Sequence, residues 1–175
     1  MKQGKWTSTK TYPEAFPVAY RQWRADRKSG KAESEKYTRD EIPGCNAIHG
    51  YALTIHLEFS GDTLDRRNWI CDFGGFKPLK DLLDELFDHT LLLASDDPHY
   101  NDIKKLADLN LAKITEVEAT GCEALADFLY NYLNGSTGYL NTVLGYDNRV
   151  WCSKVEVRET SKNSAFRVGD GTDVQ

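Results

Sequence analysis

Three places in this sequence put reactive side chains at spacings that could do chemistry. Cys45 stands four residues before His49, Asp88 adjoins His89, and Glu159-Thr160 closes an apolar run. A thiol acts as a base or nucleophile only as its thiolate, which needs a cation or a metal close by. His89 would supply that cation if the fold brought it to Cys45, with Asp88 orienting the ring or relaying a proton. A carboxylate at the end of a rigid strand, such as Glu159, can accept two parallel hydrogen bonds from the N–H and NH2 edge of a guanine-like ring. Each residue also has a plainer reading. A free cysteine is often a small buried hydrophobe, and a lone strand histidine is usually packed. His89 at a helix end would cap the negative pole of the helix dipole, and Glu123 at a helix start would face the positive one. Glu159 could simply be solvated. His56 and His99 have no matched partner in the sequence and are read as structural or surface residues.

The elements that would position these groups can be read from periodicity. From His49 to Phe59 the residues alternate, with His49, Tyr51, Leu53, Ile55, Leu57 and Phe59 on one face of a strand. Ile42-Pro43-Gly44 is a turn signal that delivers Cys45 to its mouth. Upstream, residues 5–12 and 16–23 read as two short strands separated at Pro13. Residues 69–73 read as another strand. Pro78 suits the first turn of a helix, and Leu79, Leu82, Leu83, Leu86 and Phe87 recur at helical steps, so Asp88-His89 falls at that helix's end. Asp96-Asp97-Pro98 is a turn, followed by a short helix at 100–109 and a strand at 112–118. Residues 121–133 carry an apolar stripe through Leu125, Phe128, Leu129, Tyr132 and Leu133 and form a second amphipathic helix. Residues 139–149 read as loop, 150–159 as a strand, and 164–168 as its hairpin partner. Strands, two main helices and further strands predict an α+β domain, an antiparallel sheet with the two helices on one face. One domain is expected over 1–175, with an exposed polar loop at about 24–44 and a flexible tail at about 169–175.

Bulk properties exclude several classes. The 175 residues carry a formal net charge of −5, which argues against a general nucleic-acid grip. The start, Met1 to Trp6, has no apolar core, so no export signal is expected. No apolar run approaches the roughly 20 residues that would span a bilayer. The four cysteines show no C-x-x-C spacing, so a four-cysteine structural zinc is disfavoured. Reduced thiols in a cytoplasmic protein are the expectation that follows. A Cys-His hydrolase is a weaker reading, because no oxyanion-hole motif lies near Cys45.

Together, and in order over about residues 16–166, these pieces resemble the 6-pyruvoyl-tetrahydropterin synthase family, including its bacterial 6-carboxy-tetrahydropterin synthase branch. Cys45-x-x-x-His49-Gly50 looks like the family's catalytic cysteine followed by His-Gly-His. Asp72-Phe73-Gly74-Gly75-Phe76-Lys77 looks like its Asp-Phe-Gly-x-x-Lys segment, and Phe87-Asp88-His89 like its Leu-Asp-His. Gly121-Cys122-Glu123-Ala124-Leu125-Ala126 is similar, more weakly, to Thr-x-Glu-Asn-Leu-Ala, and Val157-Arg158-Glu159-Thr160 to the Glu-Thr strand end.

The resemblance implies a tunnelling fold and a ring of subunits, commonly a hexamer of two trimers, with sites between subunits. It implies a lyase acting on dihydroneopterin triphosphate on the route to 7-deazaguanines, the precursors of queuosine. It implies Cys45, Asp88 and His89 as the proton-transfer groups, Glu159, Thr160 and Glu123 at the pterin, and zinc held by three histidines. Here the sequence departs. Of the zinc positions only His49 keeps its imidazole; Tyr51 replaces the second histidine of His-Gly-His, and Tyr20 stands where Phe16-x-x-x-His would put the first. One imidazole does not make such a site. The competing expectation is a ring that binds a pterin or purine-like ligand without catalysis.

Overall fold

The computed structural model describes residues 4–25 and 44–173. Most of the polar stretch read as a loop at about 24–44 lies outside the described residues, as do 174–175. Six strands form one sheet in the order β4-β3-β1-β2-β5-β6. They are β1 (Trp6–Tyr20), β2 (His49–Gly61), β3 (Thr90–Ala94), β4 (Lys113–Val117), β5 (Val150–Arg158) and β6 (Ser164–Val168). The helices are α1 (Lys77–Phe87), α2 (Tyr100–Asp108), α3 (Cys122–Leu133) and the one-turn α4 (Tyr139–Thr142).

The two strands read at 5–12 and 16–23 are one strand, β1, that ends at Tyr20. Tyr12 pairs with Ile55 and Phe16 with Leu53, so three residues of β1 oppose one of β2. That bulge takes in Pro13, which has no N–H for a ladder and is tolerated where pairing is interrupted. The expected antiparallel sheet holds for β1, β2, β5 and β6, whereas β3 runs parallel to β1 and β4 parallel to β3. The sheet is therefore mixed. Sequence reading missed β3 because Thr90-Leu91-Leu92-Leu93-Ala94 is buried on both faces and shows no alternation. Residues 69–73 are not a strand. They form turns that lead into a 3-10 turn at Phe73–Phe76. The Arg149 guanidinium donates to the carbonyls of Thr63 and Ile70 at 2.9 and 2.8 Å, so this backbone finds its partners outside a ladder.

One apolar face of the sheet carries both main helices. Leu53, Ile55, Leu57 and Phe59 of β2 share a core with Leu79, Leu83 and Phe87 of α1 and Leu125, Ala126, Leu129 and Leu133 of α3. α2 sits on the opposite face, where Leu91 and Leu93 of β3 meet Ile103. Residues 169–173 form no regular element but are tethered: Tyr130 donates to Asp173 at 2.6 Å, and Arg167 contacts the same carboxylate at 2.8 Å. Among the described residues no helix is long and apolar enough to cross a membrane.

Candidate active site

Chain directions bring four element ends to one place: the end of β1, the start of β2, the end of β5 and the start of α3. Tyr20, last in β1, is the cross-strand partner of His49, first in β2. Partners in an antiparallel pair project to the same face, and so does Tyr51, two residues on. Tyr20 and Tyr51 stack with ring centroids 4.3 Å apart, and His49 tilts against Tyr51 at 4.5 Å. The register thus gathers the three positions at which the resemblance places zinc ligands.

β5 leaves the sheet at Arg158, and the next residue, Glu159, accepts a short hydrogen bond from the Tyr20 hydroxyl. Thr160, by contrast, caps its own turn: its hydroxyl accepts from the N–H groups of Lys162 and Asn163, each at 3.1 Å. Thr120 donates to the Arg21 carbonyl at 2.7 Å and ties the start of α3 to the end of β1. Gly121 (φ +111°) makes the turn there in a conformation that side chains disfavour. A Cβ on Gly121 would lie 3.5 Å from the Gln22 amide nitrogen and 3.8 Å from Glu123 Oε2. Glu123 is thus an exposed carboxylate in the first turn of α3, at the edge of this corner.

Cys45 enters through a 3-10 turn, Gly44–Asn46, pinned to the end of β1. Gln22 N–H donates to the Cys45 carbonyl at 2.8 Å, and the buried Asn46 side chain donates to the Trp23 carbonyl at 2.7 Å. Cys45 is half-buried. Burial, followed by Glu159, Cys45 and Cys122, pushes the Tyr51 hydroxyl up to about 12. Burial and the bond to Glu159 raise Tyr20 further still. Both phenols therefore keep their protons at neutral pH. Burial also pushes the Cys122 thiol up to about 11, so it is no ready nucleophile. His49 Nδ1 lies 2.7 Å from the Ala47 carbonyl. A carbonyl only accepts, so Nδ1 carries a hydrogen, and in the neutral ring Nε2 is then the acceptor.

Asp88 and His89 stand apart from this corner. The His89 N–H donates to the Pro17 carbonyl at 2.8 Å, on the edge of β1 away from β2. From Pro17 to Gln22, where Cys45 is attached, is about 15 Å along the chain. His89 lies in the left-handed region (φ +56°), with its Nδ1 3.0 Å from Asp88 Oδ1. Its side chain is 80% exposed and that of Asp88 47% exposed, so the pair presents itself outward. Among the described residues no hydrogen bond or ion pair joins either residue to the Cys45 side chain. Asp88 caps α1 through its N–H, which donates to the Asp84 carbonyl. That is an ordinary helical bond of the backbone; the partner of the His89 ring is Asp88 Oδ1.

The donor set does not fit zinc. Two of the three ligand positions are protonated phenols, and Tyr20 already spends its hydrogen on Glu159. Among the described residues no group of three His, Cys, Asp or Glu side chains could hold a metal ion. What the corner offers instead is a carboxylate with unused lone pairs, an imidazole nitrogen and a thiol, walled by two aromatic rings. That is equipment for gripping a flat polar heterocycle and moving a proton. Sequence reading missed the Tyr20–Glu159 bond and the roles of Gln22 and Asn46. The resemblance links Tyr20, His49 and Tyr51, but the meeting of Tyr20 with Glu159 depends on strand register, which no local pattern in the sequence carries.

Comparison with known proteins gives the family and the fold. Residues 14–169 match the family described as 6-pyruvoyl tetrahydropterin synthase. A 6-carboxy-5,6,7,8-tetrahydropterin synthase of Aquifex aeolicus is 30% identical over 133 residues, covering 74% of this chain and 79% of that protein. A protein of the same name from Bacillus subtilis is 30% identical over 122 residues, covering 70% and 68%. Among solved structures, an uncharacterized protein of Wolinella succinogenes superposes with a TM-score of 0.69 at 21% identity, covering 94% of this chain and 98% of that one. The 6-pyruvoyl tetrahydropterin synthase of Caenorhabditis elegans gives 0.55 at 18% identity, covering 97% and 99%. At such identities the structural likeness speaks for the fold alone, the tunnelling fold. With the family match over most of its length, the chain belongs to the 6-pyruvoyl tetrahydropterin synthase family.

Proposed function

We propose that this protein is a pterin-processing lyase of the 6-carboxy-tetrahydropterin synthase type, acting on dihydroneopterin triphosphate on the route to 7-deazaguanines. The observation that carries the reading is the placement of Glu159. It follows β5 at the corner where Tyr20 stacks on Tyr51, with one oxygen fixed by Tyr20. A carboxylate has about four lone-pair sites, so a pterin's ring N–H and exocyclic amine can still bond to it side by side. Cys45 then stands near the ring's side chain as the proton-abstracting group. Asp88 and His89 pass or supply the proton. Their separation from Cys45 within one chain supports a homo-oligomer, a hexamer by family resemblance, in which a second copy brings that pair to the thiol. The relatives' names support the substrate class.

The test is incubation of purified protein with dihydroneopterin triphosphate, with products separated by mass. Conversion to 6-carboxy-tetrahydropterin, abolished in Cys45→Ala with ligand affinity nearly intact, is the expected result. Full turnover in Cys45→Ala would overturn the role of the thiol. The Tyr20–Tyr51 stack favours a second reading, a ring that binds a pterin or guanine-like ligand without turning it over. Tight pterin binding with no product from any reduced pterin triphosphate is the outcome that selects it.

A further inference from the structure

The chemistry of the corner and the family's zinc disagree, and the disagreement points to how this site works. We propose that the Tyr20–His49–Tyr51 corner is metal-independent: the Tyr20 phenol, bonded to Glu159 and stacked on Tyr51, fills the ion's place, and His49 offers Nε2 to the bound ligand. This goes beyond the pterin reading and does not rest on it.

The argument is geometric. Tyr20 is fully buried and its ring lies 4.3 Å from that of Tyr51 at an 18° tilt. Rings at that spacing are in van der Waals contact and leave no gap between them for an ion with its ligands. The Tyr20 oxygen points at Glu159, so the carboxylate is held by a hydrogen-bond donor in the same chain. His49 Nδ1 is fixed by the Ala47 carbonyl at 2.7 Å. In metal sites such a bond orients the other nitrogen toward the ion. Among the described residues no hydrogen bond engages Nε2, which in the neutral ring is an acceptor for a donor group on the ligand. The same scaffold still brings the three side chains to one point, because Tyr20 and His49 are cross-strand partners and Tyr51 shares their face. Imidazoles at positions 20 and 51 would complete a three-nitrogen set with His49.

Two measurements test this without any turnover. The first is metal content of the untagged protein by mass spectrometry after growth with zinc and after dialysis against a chelator. Zinc should stay below about one tenth of an equivalent per chain, against about one for a closed three-histidine site. The chelator should leave the melting midpoint unchanged. The second is the Tyr20→His/Tyr51→His double variant titrated with Co2+, whose visible absorption reports tetrahedral nitrogen ligation. It should take up about one equivalent, and adding His49→Ala should remove that uptake. One equivalent of zinc in the unaltered protein, lost in His49→Ala, would overturn the proposal. So would a folded double variant, by circular dichroism, that takes up no more Co2+ than its parent. If the double variant does not fold, the metal content of the unaltered protein still decides. Failure of pterin binding would leave both readouts untouched, so the two ideas fail separately.

Discussion

Glu159 is the residue on which ligand recognition turns. Its carboxylate reaches the corner from the end of β5, and the buried Tyr20 hydroxyl holds it there. Hydrogen bonds to a charged acceptor contribute roughly 1.5–3 kcal/mol. Glu159→Gln keeps the shape but loses the charge and turns a donor toward the ring's donors. Glu159→Ala removes the acceptor and also leaves the Tyr20 hydroxyl buried without its partner. Both variants should weaken binding of pterins and guanine-like rings by about tenfold or more, since about 1.4 kcal/mol is a factor of ten. Rings without the paired donors should bind poorly to the unaltered protein and be indifferent to the change. Isothermal titration with a reduced pterin, and with a ring lacking the amine, reads both effects. Unchanged affinity in Glu159→Ala would remove the main reason for placing a pterin at this wall. Thr160 belongs to a different category, because its hydroxyl is committed to the turn at 162–163. Its replacement should act on the β5–β6 connection rather than on the ligand.

At the scale of elements, what was legible in the sequence is what periodicity can encode. The β2 face from His49 to Phe59, the stripes of α1 and α3, and the β5–β6 hairpin follow directly from alternation or three- and four-residue steps. β3 was hidden because a strand buried on both faces looks like any apolar run. β1 was cut in two because a bulge tolerates a proline that a regular strand does not. Of the site, the residue types were legible, but Tyr20 meeting Glu159 depends on register and chain direction, which no local pattern carries. The tail is a similar case. Read as flexible from its composition, residues 169–173 are clasped by Tyr130 and by Arg167, which also holds Asp127 at 2.8 Å. The Tyr130 hydroxyl, then Arg167, hold the Asp173 carboxyl below its usual value. A carboxyl whose folded value is depressed stabilises the fold above its unfolded value, near 3.9, and loses that contribution as pH falls through the folded value. Tyr130 is shifted the other way, upward by burial and by Asp173, so its contribution is present below about pH 10 and lost in strong alkali. Hydrogen exchange at the amide of Gly171, which donates to Tyr130, should therefore stay slow through neutral pH and quicken, beyond the intrinsic rate, as acid releases the clasp. Asp173→Asn should raise that exchange at pH 7 and remove the acid step. An unchanged pH profile in the variant would show that the clasp does not hold the tail.

At the scale of the whole molecule, a single chain separates the groups that the proposed reaction needs together. Cys45 sits at the mouth of β2, whereas Asp88 and His89 face outward at the far edge of β1. Among the described residues β4 and β6 are the two edge strands of the sheet, and such edges are commonly covered by another copy. If a second subunit carries its Asp–His pair to the thiol, each active unit draws on two chains. Cys45→Ala and His89→Ala chains would then each be inactive alone. Co-expressed and randomly assembled, they would form some sites with an intact thiol from one chain and an intact imidazole from its neighbour. For random mixing that fraction is about one quarter, so turnover should recover to about a quarter of the unaltered protein. Light scattering on the same samples should show one oligomeric species well above monomer mass. Were the site built within one chain, no mixed assembly could hold both groups, and co-expression would give no more activity than the separate variants. A clean monomer at micromolar concentration that turns over dihydroneopterin triphosphate would sink the shared-site arrangement outright.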